Sequence, residues 1–216
     1  MPQARTAKKR RAMVDRQLAA RGIGDPRVLD AMGKIPREEF VPDHLRPFAY
    51  DDSALPIEAG QTISQPYIVA HMAELAEIRP DDTVLEIGAG SGYAAAILGQ
   101  LAHRVIAIER HHILANAARK CMTALGYDNV EIIHGDGYKG WPPEAPFDAI
   151  IVSAGAEEIP PALKSQLKVG GRLILPLRQG SDQVLMRIRR TGPDTFKEEW
   201  HGFVAFVPLI GSDGSL

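Results

Sequence analysis

Apolar positions along this chain follow two rhythms. Val14 and Leu18 recur on one face of residues 12–22, Asp25-Pro26 opens a further helical run through Met32, and Ile68, Met72 and Leu75 repeat at i, i+4 and i+7 within residues 65–76. Pro36, Pro42 and Pro47 break the chain between the second and third of these runs. From Thr83 onward the rhythm changes to short β-branched runs, which predict strands over Thr83–Ile87, 105–109, Val130–His134, 149–152, 172–176, 184–189 and 203–208. Helical patterns separate the early strands, whereas the last two are joined without an obvious helix and read as an antiparallel closing pair. The pattern predicts an α/β fold: a doubly wound, mostly parallel seven-stranded sheet with an N-terminal helical cap.

The strand Thr83–Ile87 stops at Gly88 and gives way to a helix-forming stretch, so Glu86-Ile-Gly-Ala-Gly-Ser-Gly92-Tyr reads as strand, tight turn and helix. In open α/β sheets ligands sit beyond the carboxyl ends of such strands, and Gly88, Ala89 and Gly90 would line that place. A dinucleotide or S-adenosylmethionine could bind there. A dinucleotide fingerprint needs a small residue where this chain has Tyr93. The E-x-G-x-G-x-G pattern instead resembles the first motif of Rossmann-like methyltransferases, in which Glu86 would hold the cofactor's amino group indirectly or through water.

Further acids close later strands. Val105-Ile-Ala-Ile-Glu109 places a carboxylate where ribose hydroxyls are accepted, and His134-Gly-Asp136-Gly137 places another at the same sheet edge. In the methyltransferase pattern Asp136 reads the adenine amino group. Each acid alone reads as a surface residue or helix cap, but three at successive strand ends point together to a nucleoside.

Composition narrows the remaining choices. The 216 residues, 45% of them hydrophobic, fit one domain without a linker or repeat. Within it, residues 1–12 are expected to be a flexible basic tail, 13–80 the helical cap and substrate segment, and 81–210 the cofactor-binding sheet. A net charge of −2 gives no general reason to expect nucleic acid, and the basic run Arg5 to Arg11 reads as a solvated segment. No apolar run follows these charges as a secretory leader requires, and none approaches a membrane span, so the expected location is the cytoplasm. Cys121 is the sole cysteine, expected in the core; it excludes an intrachain disulfide. The adjacent His111 and His112 point in different directions, and no metal is expected.

Near the glycine turn, Ala54-Leu-Pro-Ile and Gly60-Gln-Thr-Ile-Ser-Gln-Pro66 resemble the signature of protein-L-isoaspartate O-methyltransferases. Ile35-Pro-Arg-Glu-Glu-Phe-Val41, Ala145-Pro-Phe-Asp-Ala-Ile-Ile, Gln166-Leu-Lys-Val-Gly-Gly-Arg-Leu-Ile-Leu-Pro176 and Phe206-Val-Pro-Leu209 extend the likeness over roughly residues 13 to 210. The resemblance implies methyl transfer from S-adenosylmethionine, with S-adenosylhomocysteine as product, to the α-carboxylate of L-isoaspartyl residues in damaged proteins. It makes Ser64 the active-site residue and puts Thr62 beside it. Ile63 and Tyr67 would wall the cofactor or the substrate, and Val207, Leu209 and Ile210 would approach the substrate peptide. Ser64 before Gln65-Pro66 also reads as a helix N-cap, a role compatible with holding a carboxylate. The protein is expected to act as a monomer on isoaspartyl-containing proteins, without nucleic acid or membrane. Two rivals remain: a methyltransferase acting on a small-molecule hydroxyl, which would need a base or metal not evident here, or on a nucleic acid, whose Asn/Asp-Pro-Pro-aromatic signature is missing from residues 152–161; and a scaffold that keeps the fold without activity.

Overall fold

In the computed structural model, which describes residues 2–211, the chain opens with helix α1 (Pro2–Met13). Helical structure continues through a wider turn at Val14–Leu18 and a tighter one at Ala19–Arg21 before Gly22 ends it. The helix therefore begins where a flexible tail is expected. Its basic residues find partners on the segment before the sheet: Lys9 donates to the Pro47 carbonyl (2.7 Å), Arg10 to the Tyr50 hydroxyl (3.3 Å), and Met13 is buried.

Helix α2 (Pro26–Lys34) starts with Asp25 accepting from the Arg27 amide and proline in the first turn, and it buries Val28, Ala31 and Met32. A minimal antiparallel ladder follows, β1 (Leu55–Pro56) with β2 (Thr62–Ile63), and then helix α3 (Pro66–Leu75). These elements form the cap.

The sheet is built from β3 (Thr83–Ile87), β4 (Arg104–Glu109), β5 (Val130–His134), β6 (Phe147–Val152), β7 (Leu167–Gln179), β8 (Asp182–Arg190) and β9 (Phe196–Val204), with α4 (Tyr93–Leu101), α5 (His112–Ala124) and α6 (Pro161–Ser165) between its strands. Its order is β5-β4-β3-β6-β7-β8-β9, parallel from β5 to β7 and antiparallel from β7 to β9. The early strands are apolar in nearly every position because both faces are covered. Val84, Ala107 and Ile151 face the cap, α4 and α5, whereas Leu85, Ile108, Ile150 and Leu173 pack with Leu163 of α6 on the other side. The chain leaves β3 toward β4 and β5, then crosses back to β6, so the strand order reverses between β3 and β6. A crevice opens at such a reversal.

Two expectations need correction. The last strand is Phe196–Val204 rather than 203–208. Its outer half reads Lys-Glu-Glu, an edge-strand composition that hides the apolar rhythm, while the apolar residues 205–210 cross the carboxyl ends of the strands. There Gln183 holds both backbone groups of Phe206 (2.7 and 3.1 Å), and Gly155 exchanges bonds with Val207 and Leu209 (2.8 and 2.7 Å). Cys121 is half-buried on α5 rather than in the core, with its thiol toward the Glu39 carbonyl.

Candidate active site

The turn after β3 is held open by its glycines. Gly88, Gly90 and Gly92 take φ of +85°, +54° and +88°, values that L side chains rarely adopt. The Gly90 amide donates to Glu109 Oε2 (2.8 Å) and the His111 amide to Glu109 Oε1 (2.7 Å), so the end of β4 is tied to the glycine turn. A carboxylate has about four acceptor positions, and two remain for a ligand's hydroxyls.

Glu86 faces the cap from inside β3 and is fully buried. Ser153, just past the end of β6, donates to its Oε1 (3.3 Å), while Oε2 has no partner. Burial pushes this carboxyl up to about 8, the Glu109 charge adds to the rise, and the Ser153 bond opposes it. An orphaned buried carboxyl is costly unless something positive meets it.

Three hollows converge here. An inner cavity of about 50 Å³ is lined by Ile63, Glu86, the glycine turn, Ser153 and Phe206, with no basic side chain in its wall. A cleft of about 250 Å³ runs along the same turn past Glu109, Gly137, Val207, Leu209 and Ile210. On the outer side a groove of about 490 Å³ is lined by Ser53, Gln65, Ile68, Phe203 and Val207. Thr62 and Ser153 border all three, and Ser64 borders the inner cavity and the groove. A larger depression, about 730 Å³, lies between the end of α2 and the amino ends of β4 and β5, near Lys34, His103 and Asn129. It shares no residue with the strand ends where the acids converge.

Most of the residues picked from the sequence meet at this point. Thr62, Ile63, Ser64, Glu86, Gly88, Ala89, Gly90, Glu109, Gly137, Val207, Leu209 and Ile210 all line these hollows. Asp136 stands at the end of β5 beside Gly137 and accepts from the Tyr138 amide (3.0 Å). Tyr67 does not join them: on α3 it turns outward, stacks on His71 (5.7 Å) and lies under the Arg21 guanidinium (3.9 Å). Nor does Ser64 cap α3. The N-cap is Gln65, and no side chain bonds the first turn.

Sequence reasoning passed over Ser153 and Phe206. Ser153 follows an apolar strand without a motif of its own, and only its place beside the strand reversal would have marked it. Phe206 was hidden inside a run taken for a strand. The hollow thus offers a buried acid with a free oxygen, acids at neighbouring strand ends, glycine backbone for close approach, and two hydroxyls on a shared wall. A cationic nucleoside fits the first three, and an anion fits the hydroxyls.

Comparison with known proteins agrees with this geometry. Residues 8–214 match the family model described as Protein-L-isoaspartate(D-aspartate) O-methyltransferase. A protein-L-isoaspartate O-methyltransferase of Rhodopseudomonas palustris is 53% identical over 205 residues, covering 94% of this chain and 93% of its own length. One from Protochlamydia amoebophila is 54% identical over 203 residues, covering 94% and 97%. Among solved structures, a protein-L-isoaspartate O-methyltransferase superposes with a TM-score of 0.84 at 30% identity, covering 94% of this chain and 67% of that one. A Plasmodium falciparum structure described as a protein-L-isoaspartate O-methyltransferase in complex with S-adenosyl-L-homocysteine superposes at 0.80 with 27% identity, covering 93% and 97%.

Proposed function

The chain belongs to the protein-L-isoaspartate(D-aspartate) O-methyltransferase family, and from that premise we propose how its residues divide the work. The enzyme uses S-adenosylmethionine to methylate the α-carboxylate of L-isoaspartyl residues in damaged proteins. The backbone amide nitrogen of the following residue then attacks the methyl ester and expels methanol to give a succinimide, and hydrolysis returns part of it to normal aspartyl.

S-Adenosylmethionine supplies an electrophilic methyl group on a sulfonium and a zwitterionic amino-acid end with an ammonium. Glu86, with Ser153 on its other oxygen, holds that ammonium indirectly or through water. Glu109 accepts from the ribose hydroxyls with the acceptor positions left free by the Gly90 and His111 amides. Asp136 accepts from the adenine amino group, and Gly88, Ala89, Gly90 and Gly137 give the backbone approach. Ile63 closes the inner wall.

The substrate carboxylate is ionised near neutral pH and needs no general base. Its oxygens need aiming, and Thr62 and Ser64 do this as hydroxyl donors from the wall between cavity and groove. Ser64 is a positioning donor at the reacting group rather than a covalent nucleophile, since among the described residues no histidine hydrogen-bonds to it. Val207 borders the groove as well as the cleft, whereas Leu209 and Ile210 border the cleft alone; their backbone groups not engaged by Gly155 would run beside the peptide. The shared wall carries this reading: Thr62 and Ser64 touch the cavity that holds the glycine turn and the open groove on the other side.

We further infer that the enzyme works in the cytoplasm as a monomer and without nucleic acid. Its net charge of −2 gives no general attraction to nucleic acid, and no helix among the described residues is long and apolar enough to cross a membrane.

The test of the reading offers labelled S-adenosylmethionine with paired peptides that differ only in an L-isoaspartyl or L-aspartyl linkage. Base-labile label is expected on the isoaspartyl peptide alone. Equal labelling of both, or of neither, would overturn it.

A further inference from the structure

We propose that Trp200 and Phe203 on the edge strand form an apolar subsite that takes a side chain flanking the isoaspartyl residue, a role that rests on the methylation reading above. Both side chains are largely exposed, 56% and 71%, and their rings meet edge to face at 5.6 Å and 83°. Residues three apart in a regular strand point to opposite faces. Here the pairing of β9 with β8 shifts between Val184↔Phe203 and Met186↔Trp200, so an extra residue enters β9 between the two rings. Gly202 takes φ of +100° within this bulge. The extra residue restores the phase and brings both rings together, a re-aiming that bulges beside functional sites provide.

The rest of the outer edge is treated differently. Lys197, Glu198 and Glu199 are charged and engaged in ion pairs, with Glu199 also held by Arg187 (2.5 Å). This composition keeps an edge strand from pairing with other chains. Apolar exposure is confined to the end of β9 nearest the active site, and there it joins the site directly. Phe203 lines the same groove as Thr62 and Ser64, and the Trp200 ring joins that surface through its contact with Phe203. An extended peptide whose isoaspartyl carboxylate rests on Ser64 and which leaves along the groove passes Phe203 and then Trp200. Backbone contacts near residues 207–210 would give affinity for any damaged protein, while the aromatic pair ranks substrates by their neighbours.

The experiment compares isoaspartyl peptides with glycine at every flanking position against peptides carrying one leucine at each neighbouring position in turn. In the wild-type enzyme leucine at one position is expected to raise kcat/KM roughly ten-fold, mainly through KM. In Trp200→Ser and Phe203→Ser this ratio should fall to within about two-fold, the scale of a surface change. Each variant is its own reference, so a general loss of activity cancels in the ratio. A wild-type enzyme indifferent to flanking leucine, or variants that keep the preference, would overturn the subsite while leaving isoaspartyl methylation standing. If the wild type methylates no isoaspartyl peptide, the underlying reading falls with it. A wild-type dimer in sedimentation that Trp200→Ser dissolves, with the leucine ratio unchanged, would assign the pair to a second copy of the chain instead.

Discussion

Glu86 stands in a register that the strand pattern reserves for a core residue, on the same face as Val84. Ordinarily a valine or alanine would sit there. Its carboxyl is pushed up to about 8 by burial, whereas in the unfolded chain it titrates near 4.5. Between those values the unfolded state has released the proton and the folded state still holds it. The stability of the empty enzyme therefore falls as pH rises through that window, by about 1.4 kcal/mol per unit from this group, and levels off above it. Glu86→Gln should remove that part of the slope in thermal unfolding measured from pH 5 to 9 and should weaken S-adenosylhomocysteine binding at least ten-fold in calorimetry. Parallel pH slopes for the two proteins would refute the assignment. Ser64→Ala should keep cofactor affinity within a few-fold and lose most turnover. Because the hydroxyl caps nothing, stability should stay within about 0.5 kcal/mol, the range of a change away from core and caps; full turnover in the folded variant would take Ser64 out of the mechanism. At this scale the acids and glycines were legible, since strand-end carboxylates and positive-φ turns leave a local signature. Ser153, Phe206 and the outward turn of Tyr67 were not, because each depends on what a distant segment places opposite.

Elements were legible where the hydrophobic period was strong. The parallel strands, buried on both faces, are where continuous apolar runs put them, and helix α2 begins at its Asp-Pro signal. The period failed at the two ends of the chain. Helix α1 is too polar to show an apolar stripe and gains its order from the partners of Lys9, Arg10 and Met13. At the other end, β9 carries edge-strand charges, and the apolar residues that follow it belong to a crossing segment. If α1 is docked, deleting residues 2–12 should cost about 1–2 kcal/mol, a drop of several degrees in Tm for a chain of this size. A deletion variant melting with the intact protein would restore the flexible tail.

At the level of the whole molecule, the reversal of strand order between β3 and β6 gathers side chains from about two thirds of the chain, from Thr62 to Ile210, at one sheet edge. The sequence made the sheet and its doubly wound character visible, but the neighbour relations that create the crevice are long-range and leave no local trace. The hollows at that edge predict the order in which the two substrates bind. The inner cavity, about 50 Å³, shares the glycine turn, Thr62 and Ser153 with the cleft of about 250 Å³ that runs past Glu109 and Gly137, and its wall toward the groove is the short β1–β2 ladder with two residue pairs. S-Adenosylmethionine would lie along that cleft and reach into the cavity behind Thr62 and Ser64, and a peptide in the groove would then cover its methyl from the other side of the same wall. The two substrates should consequently bind in compulsory order, cofactor before peptide, with methylated peptide leaving before S-adenosylhomocysteine. Product inhibition by S-adenosylhomocysteine should then be competitive with S-adenosylmethionine at every peptide concentration, and a dead-end isoaspartyl analogue should be uncompetitive toward the cofactor. Such an enzyme waits charged with its methyl donor, and the abundance of damaged protein sets its pace.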